Sequence, residues 1–118
     1  FPELFREYAD CDAIVCTAAF TRHTGRAHWE VLVRARAIEN QCFVIAAGAC
    51  GINAVTAAEV WGHSLVIDAW GRTVAAAGNE PQVLTATLDK ALTAAVRTKL
   101  PACRQRAAGP GQRAAGPG

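Results

Sequence analysis

The stretch Ala18-Ala19-Phe20-Thr21-Arg22-His23-Thr24-Gly25-Arg26-Ala27-His28-Trp29-Glu30 decides how this chain folds. It continues through Val31-Leu32-Val33-Arg34-Ala35-Arg36-Ala37-Ile38-Glu39-Asn40-Gln41 to Cys42-Phe43-Val44-Ile45-Ala46. Trp29, Leu32 and Val33 make one apolar stripe at helical spacing, extended by Ala37 and Ile38. Glu30 and Arg34 stand four apart, and Arg36 and Glu39 three apart, spacings that set opposite charges side by side on a helix. The pattern predicts a helix over about Ala27–Asn40, with the Thr24 hydroxyl as N-cap for an early amide. Cys42 to Ala47 is wholly apolar and β-prone, which predicts a buried strand.

Working outward, Ala13-Ile14-Val15-Cys16 is a short continuous apolar run, the mark of a strand covered on both faces. Strand, helix and strand in so short a span make a β-α-β unit, so the two strands are expected to be parallel. Phe1, Leu4, Phe5 and Tyr8 recur at helical spacing and predict a first helix over about Phe1–Ala9. Residues 48–62 read as loop. Ser64–Ile67 and Thr73–Ala76 flank Asp68-Ala69-Trp70-Gly71, a hairpin turn in which Gly71 supplies a positive φ. Gln82–Leu88 reads as a further strand. Asp89 is placed to cap a last helix carrying Leu92, Val96 and Leu100 on one side, ended by Pro101.

At 118 residues the chain makes one domain at most, and 52% hydrophobic residues suffice for a core. It contains no Met, which sets the expectation of a processed chain or a fragment. Gln105–Gly111 is repeated as Gln112–Gly118, a Gly/Pro-rich heptad with nothing to bury. Residues 1–103 are therefore expected to form one partial domain and residues 104–118 a disordered low-complexity tail. That tail holds three of the twelve basic residues and no acid, which leaves the rest of the chain balanced. A nucleic-acid binder concentrates its basic excess on a folded face, so no nucleic-acid partner is expected. No apolar run approaches a membrane span and no basic-then-apolar leader opens the chain, so a cytoplasmic protein without membrane association is expected.

Residue chemistry alone carries little. The five cysteines show no Cys-x-x-Cys pair, and Cys16 and Cys42 sit in apolar runs where a thiol serves as a small hydrophobe. Cys50, beside Gly51, is the one cysteine in a loop-like setting, and a non-catalytic thiol is the favoured reading there. His23 and His28 are five apart, which separates them on a helix and argues against a metal pair. Ser64 lacks the G-x-S-x-G setting of a serine nucleophile. No phosphate-binding glycine loop is present, and no cofactor or metal is expected.

The block Ala18-Ala19-Phe20-Thr21 … Thr24-Gly25 … His28-Trp29-Glu30, with Arg34–Gln41 behind it, resembles the nitrilase superfamily of carbon–nitrogen hydrolases. Trp61–Arg72 and Phe1-Pro2-Glu3-Leu4 resemble two more blocks of the same family in the same order. The branch containing omega-amidases and deaminated glutathione amidases is the most similar. The resemblance implies an α/β fold, the C-terminal part of a four-layer αββα sandwich made of the β-α-β unit, the hairpin, a further strand and the C-terminal helix. It implies a Cys nucleophile forming a thioester with an amide or nitrile carbon, a Glu as general base and acid, and a Lys stabilising the tetrahedral anion.

In the family all three precede the phenylalanine matching Phe1, so no residue of this chain is expected to be catalytic and the chain alone is expected to be inactive. The loop matching Phe20–Gly25 faces substrate in the family, which makes Phe20 and Thr24 the candidate substrate-binding residues. The implied substrate is a small carboxylate-bearing amide, and the implied assembly of the full-length enzyme is a homodimer. The alternative is a truncated, inactive paralogue serving as partner of an intact amidase. Thr17 and Ala69 stand where the family usually has proline.

Overall fold

A computed structural model describes residues 1–8 and 10–102. The order is α1 (Pro2–Arg6), β1 (Ala13–Ala18), α2 (Arg22–Asn40), β2 (Phe43–Gly48), β3 (Cys50–Ile52), β4 (Glu59–Trp61), β5 (Leu65–Ile67), β6 (Thr73–Ala76) and α3 (Lys90–Lys99). Four strands form one sheet in the order β1-β2-β5-β6. The pair β1–β2 is parallel, in the register Ile14 opposite Val44 and Cys16 opposite Ala46, as the β-α-β reading expects. The pairs β2–β5 and β5–β6 are antiparallel.

Helix α2 lies against one face of this sheet. Trp29, Val33 and Ala37 pack on Ile14, Val44, Ala46, Leu65 and Ile67, and these side chains are the core. Burying each of the larger aliphatic side chains here, Ile14, Val33, Val44, Leu65 and Ile67, stabilises the fold by about 1.5–3 kcal/mol. Alternation in β1 follows from the strand's period of two: Ile14 is buried while Val15, on the other face, is 68% exposed.

Four cross-links tie α3 to the start of β1 and the end of α2. Gln41, at the C-cap of α2, adopts the left-handed conformation with φ 49°. Its backbone oxygen accepts from Arg97 Nε at 3.0 Å, and its side-chain amide donates to the Leu100 carbonyl. Arg97 Nη2 donates to the Cys11 carbonyl at 2.8 Å, and Lys90 pairs with Asp12 at 2.8 Å. Asp89 caps α3 as expected, accepting from the Ala91 amide at 2.9 Å.

The structure corrects four local readings. Helix α2 begins at Arg22, five residues before the expected start, with Thr21 rather than Thr24 at the N-cap. Thr24 lies inside the first turn, where its hydroxyl donates to the Thr21 carbonyl at 3.2 Å. Residues 48–62 are not all loop, since β3 and β4 pair there with Cys50 opposite Trp61. Gln82–Leu88 contains no strand: its apolar residues have no ladder partner among the described residues, and Val83 is exposed. Helix α1 stops at Arg6, short of the expected Ala9. The tail expected at 104–118 lies outside the described residues.

The hairpin at Asp68–Arg72 forms without the proline. Asp68 Oδ1 accepts from the Trp70 and Arg72 amides at 2.9 and 2.8 Å, and Gly71 takes φ 88°. An Asx-type turn thereby supplies the preorganisation that a proline at position 69 offers. Thr17 is accommodated within β1 opposite Ala47.

Candidate functional site

The connection from β1 to α2 is short and held along its length by the β3–β4 hairpin. The Trp61 amide donates to the Phe20 carbonyl at 2.9 Å, and Thr21 bridges to Val60. Arg22 pairs with Glu59 at 2.6 Å, an exposed bridge that adds register more than stability. These bonds anchor the backbone of Phe20. Its half-buried ring meets Trp29 at 5.2 Å between centroids, tilted by 50°.

Phe20 lines a hollow of about 230 Å³ between α1, β1 and α2, together with Phe5, Cys16, Trp29, Leu32 and Arg36. The walls are mostly apolar; Thr17 and Arg36 are the polar exceptions, and the Arg36 side chain is only 12% exposed and pairs with Glu39. Its guanidinium lies 5.7 Å from the centroid of the Phe5 ring, a cation–π distance. The Arg36–Glu39 pair is thus structural, as its spacing suggests. Burial pushes the Cys16 thiol up from the usual value of 9.0, so it stays protonated at neutral pH and is a poor nucleophile.

Phe20 therefore sits in the hollow and Thr24 does not line it. The Thr24 hydroxyl lies 2.9 Å from the Thr21 hydroxyl, turned back on its own loop. Phe5, Leu32 and Arg36 join the site without having been singled out as substrate contacts. The sequence signal for Phe5 was the α1 stripe, whereas nothing local marks Arg36 as facing a cavity.

The remaining chemistry-bearing residues are used structurally. Ser64 Oγ accepts from the Gly48 amide at 3.0 Å. Cys50 lies half-buried in β3, and His23 and His28 are exposed on α2. Trp29, part of the expected apolar stripe, is buried within α2 and donates from Nε1 to the His63 carbonyl at 2.8 Å. No lysine or glutamate lines the hollow among the described residues; Lys90, on α3, is engaged by Asp12. No described helix is long and apolar enough to cross a membrane.

The family model for carbon–nitrogen hydrolases matches residues 1–98. The chain belongs to the carbon–nitrogen hydrolase family. It is 45% identical over 108 residues to the deaminated glutathione amidase of Rattus norvegicus, covering 90% of this chain and 33% of the rat protein. It is 42% identical over 108 residues to an omega-amidase of Xenopus laevis, covering 90% of this chain and 39% of that protein. Among solved structures, the NitFhit protein of C. elegans matches with a TM-score of 0.80 and 39% identity, over 90% of this chain and 26% of that one. Saccharomyces cerevisiae Nit3, a member of branch 10 of the nitrilase superfamily, matches with a TM-score of 0.81 and 34% identity, over 89% and 39%.

This carbon–nitrogen hydrolase chain thus has a nitrilase-superfamily fold of α/β class. It spans about a third of the length of the curated relatives it matches.

Proposed function

We propose that residues 1–118 form the substrate-wall portion of an amidase that hydrolyses a small carboxylate-bearing amide through a Cys thioester. The Glu, Lys and Cys that perform the chemistry come from polypeptide other than these residues, and the 118-residue chain by itself does not turn over substrate. Residues 1–103 act as one partial domain, in a cytoplasmic protein. Phe20 supplies an apolar contact, and Thr24, in the first turn of α2, a hydrogen-bonding one.

The observation that carries this reading is the Phe20 hollow, an apolar recess of about 230 Å³ whose described lining holds no Glu–Lys–Cys set. Its cysteine, Cys16, has a thiol pushed toward the protonated form. The names of the relatives, deaminated glutathione amidase and omega-amidase, favour an amide whose other end is a carboxylate.

A homodimer is part of the same proposal. Ala27, Val31, Ala35 and Ile38 fall on the side of α2 opposite its buried stripe, and Val31 is 67% exposed there. Under a twofold axis with antiparallel helices, Ala27 faces Ile38 and Val31 faces Ala35, small against large at each step.

The test is an amide-hydrolysis assay with a short dicarboxylic monoamide. The expected result is no ammonia release by residues 1–118 alone and release by a version extended to include the Cys, Lys and Glu. In the extended protein Phe20→Ala is expected to raise KM more than it lowers kcat. Turnover by the 118-residue chain alone sinks the proposal. Failure of the extended version shifts the reading to an inactive partner of an intact amidase.

A further inference from the structure

A second, smaller recess lies on another side of α2, between that helix and the β5–β6 hairpin, with a volume of about 120 Å³. Trp29, Leu65 and Ala76 give it an apolar lining, and Arg26, His63 and Thr73 give it donors. It plays no part in the amidase reading, and nothing in that reading requires its polar groups.

His63 is the most constrained of them. It adopts the left-handed region at φ 53°, uncommon for a residue with a side chain. Such a conformation costs about 1–3 kcal/mol and persists where surrounding structure over-determines it, often at a ligand site. Three restraints hold it here. Its amide donates to the Gly78 carbonyl at 2.9 Å, its carbonyl accepts from Trp29 Nε1 at 2.8 Å, and its ring stacks on Trp61 at 4.0 Å and 23°. The half-buried imidazole is thereby oriented, yet no described residue hydrogen-bonds its ring nitrogens.

The charges around the recess are unequal. Glu30, its lining carboxylate, is engaged by Arg34 at 2.5 Å. Arg34 also donates to the Thr73 hydroxyl at 3.1 Å, which leaves the Thr73 proton free to donate inward. Arg26 has no ion-pair partner among the described residues. An arginine, a hydroxyl and an oriented imidazole therefore line one small recess together with Leu65 and Ala76. One water needs only about 10–15 Å³ of such space, so a recess of about 120 Å³ has room for a small organic ion.

From this juxtaposition we propose that the recess between α2 and the β5–β6 hairpin binds a short-chain monocarboxylate. Its carboxylate meets Arg26, Thr73 and His63, and its alkyl end rests on Leu65 and Ala76. The donor set matches a carboxylate because charge-assisted bonds from arginine and hydroxyl are the strong ones. The apolar lining favours an organic acid over a fully hydrated inorganic anion.

The experiment is an NMR titration of the 118-residue chain with sodium propionate, holding ionic strength constant with chloride. Resonances of the His63 imidazole and the Trp61 indole are followed. The expected result is a saturable shift of both. Arg26→Ala, at an exposed position, is expected to weaken binding about tenfold or more. His63→Gly, which tolerates the same backbone conformation, is expected to abolish it while far-UV circular dichroism stays unchanged. A shift that does not saturate, phosphate binding as tightly as propionate, or an unchanged affinity in Arg26→Ala each overturns the proposal.

Discussion

A Cβ added to Gly25 would lie 2.3 Å from the Cβ of Trp61, so α2 and β4 meet at a residue with no side chain. Gly25→Ala sets two effects against each other. Replacing an interior helical glycine gains about 1 kcal/mol of helix propensity. Against this, the clash is between atoms fixed to two backbones, which no rotamer change relieves, and overpacking of this kind costs about 1–3 kcal/mol. The clash is expected to win, with a lower urea midpoint for Gly25→Ala. Because Trp61 also anchors the Phe20 carbonyl, the Phe20–Trp29 ring contact is expected to loosen, visible as a change in near-UV circular dichroism.

Arg97 joins three parts of the chain distant in sequence. One guanidinium serves the Gln41 carbonyl at the end of α2 and the Cys11 carbonyl before β1. Hydrogen bonds to a charged donor contribute about 1.5–3 kcal/mol, and removing the donor leaves two acceptors to find water. Arg97→Ala is expected to destabilise the chain by about 2 kcal/mol. Hydrogen exchange locates the effect: the amides of α3 are expected to lose protection first, while those of β1 and β2 keep theirs.

What was legible in the sequence follows from which signals are local. The Trp29, Val33 and Ala37 part of the α2 stripe, the two apolar runs that pair as β1 and β2, the Asp68–Arg72 turn and the Asp89 cap are each marked by local sequence and appear in the structure, whereas Leu32 and Ile38, read into the same stripe, are exposed. The misreadings share a different cause. Thr24 and Gly25 resemble a helix start, yet Gly25 is demanded by Trp61, thirty-six positions away, and Thr21 takes the cap. The β3–β4 hairpin is rich in Gly, Ala and Thr and gains its place by pairing and by the bridge from Val60 to Thr21. Gln82–Leu88 has the apolar content of a strand but no partner among the described residues, and β-propensity without a ladder does not make one. The resemblance offers Phe20 as a substrate contact, and the structure shows it lining the hollow against Trp29. Arg36 was not legible as a cavity residue, because its approach to Phe5 is a tertiary fact.

Burial pushes the Cys16 thiol up from 9.0, and this has a consequence for stability at high pH. In the unfolded chain the thiol ionises near its ordinary value, while in the folded chain it holds its proton longer. The folded state's advantage is fully present below pH 9.0 and is lost as pH rises through the folded value. Cys16→Ala removes this dependence. Above pH 9.0 the difference in urea midpoint between wild type and Cys16→Ala is expected to shift in favour of the variant. Maleimide labelling gives an independent reading: at pH 7.5 Cys16 is expected to react more slowly in the native chain than in urea.

Val31 occupies the middle of the outward stripe on α2 and is 67% exposed. Replacing it with glutamate removes no core contact and introduces a better helix former, so the monomer is expected to be no less stable. The proposed dimer responds in the opposite direction. Under the twofold arrangement Val31 faces Ala35 of a second copy, and a carboxylate there is desolvated with no partner, at a cost of several kcal/mol. Sedimentation equilibrium is expected to show wild type as a dimer at micromolar concentration and Val31→Glu as a monomer, with equal thermal midpoints when both are dilute. If Val31→Glu sediments as a dimer, association uses another face, with the exposed Val15 side of the sheet as the next to be probed.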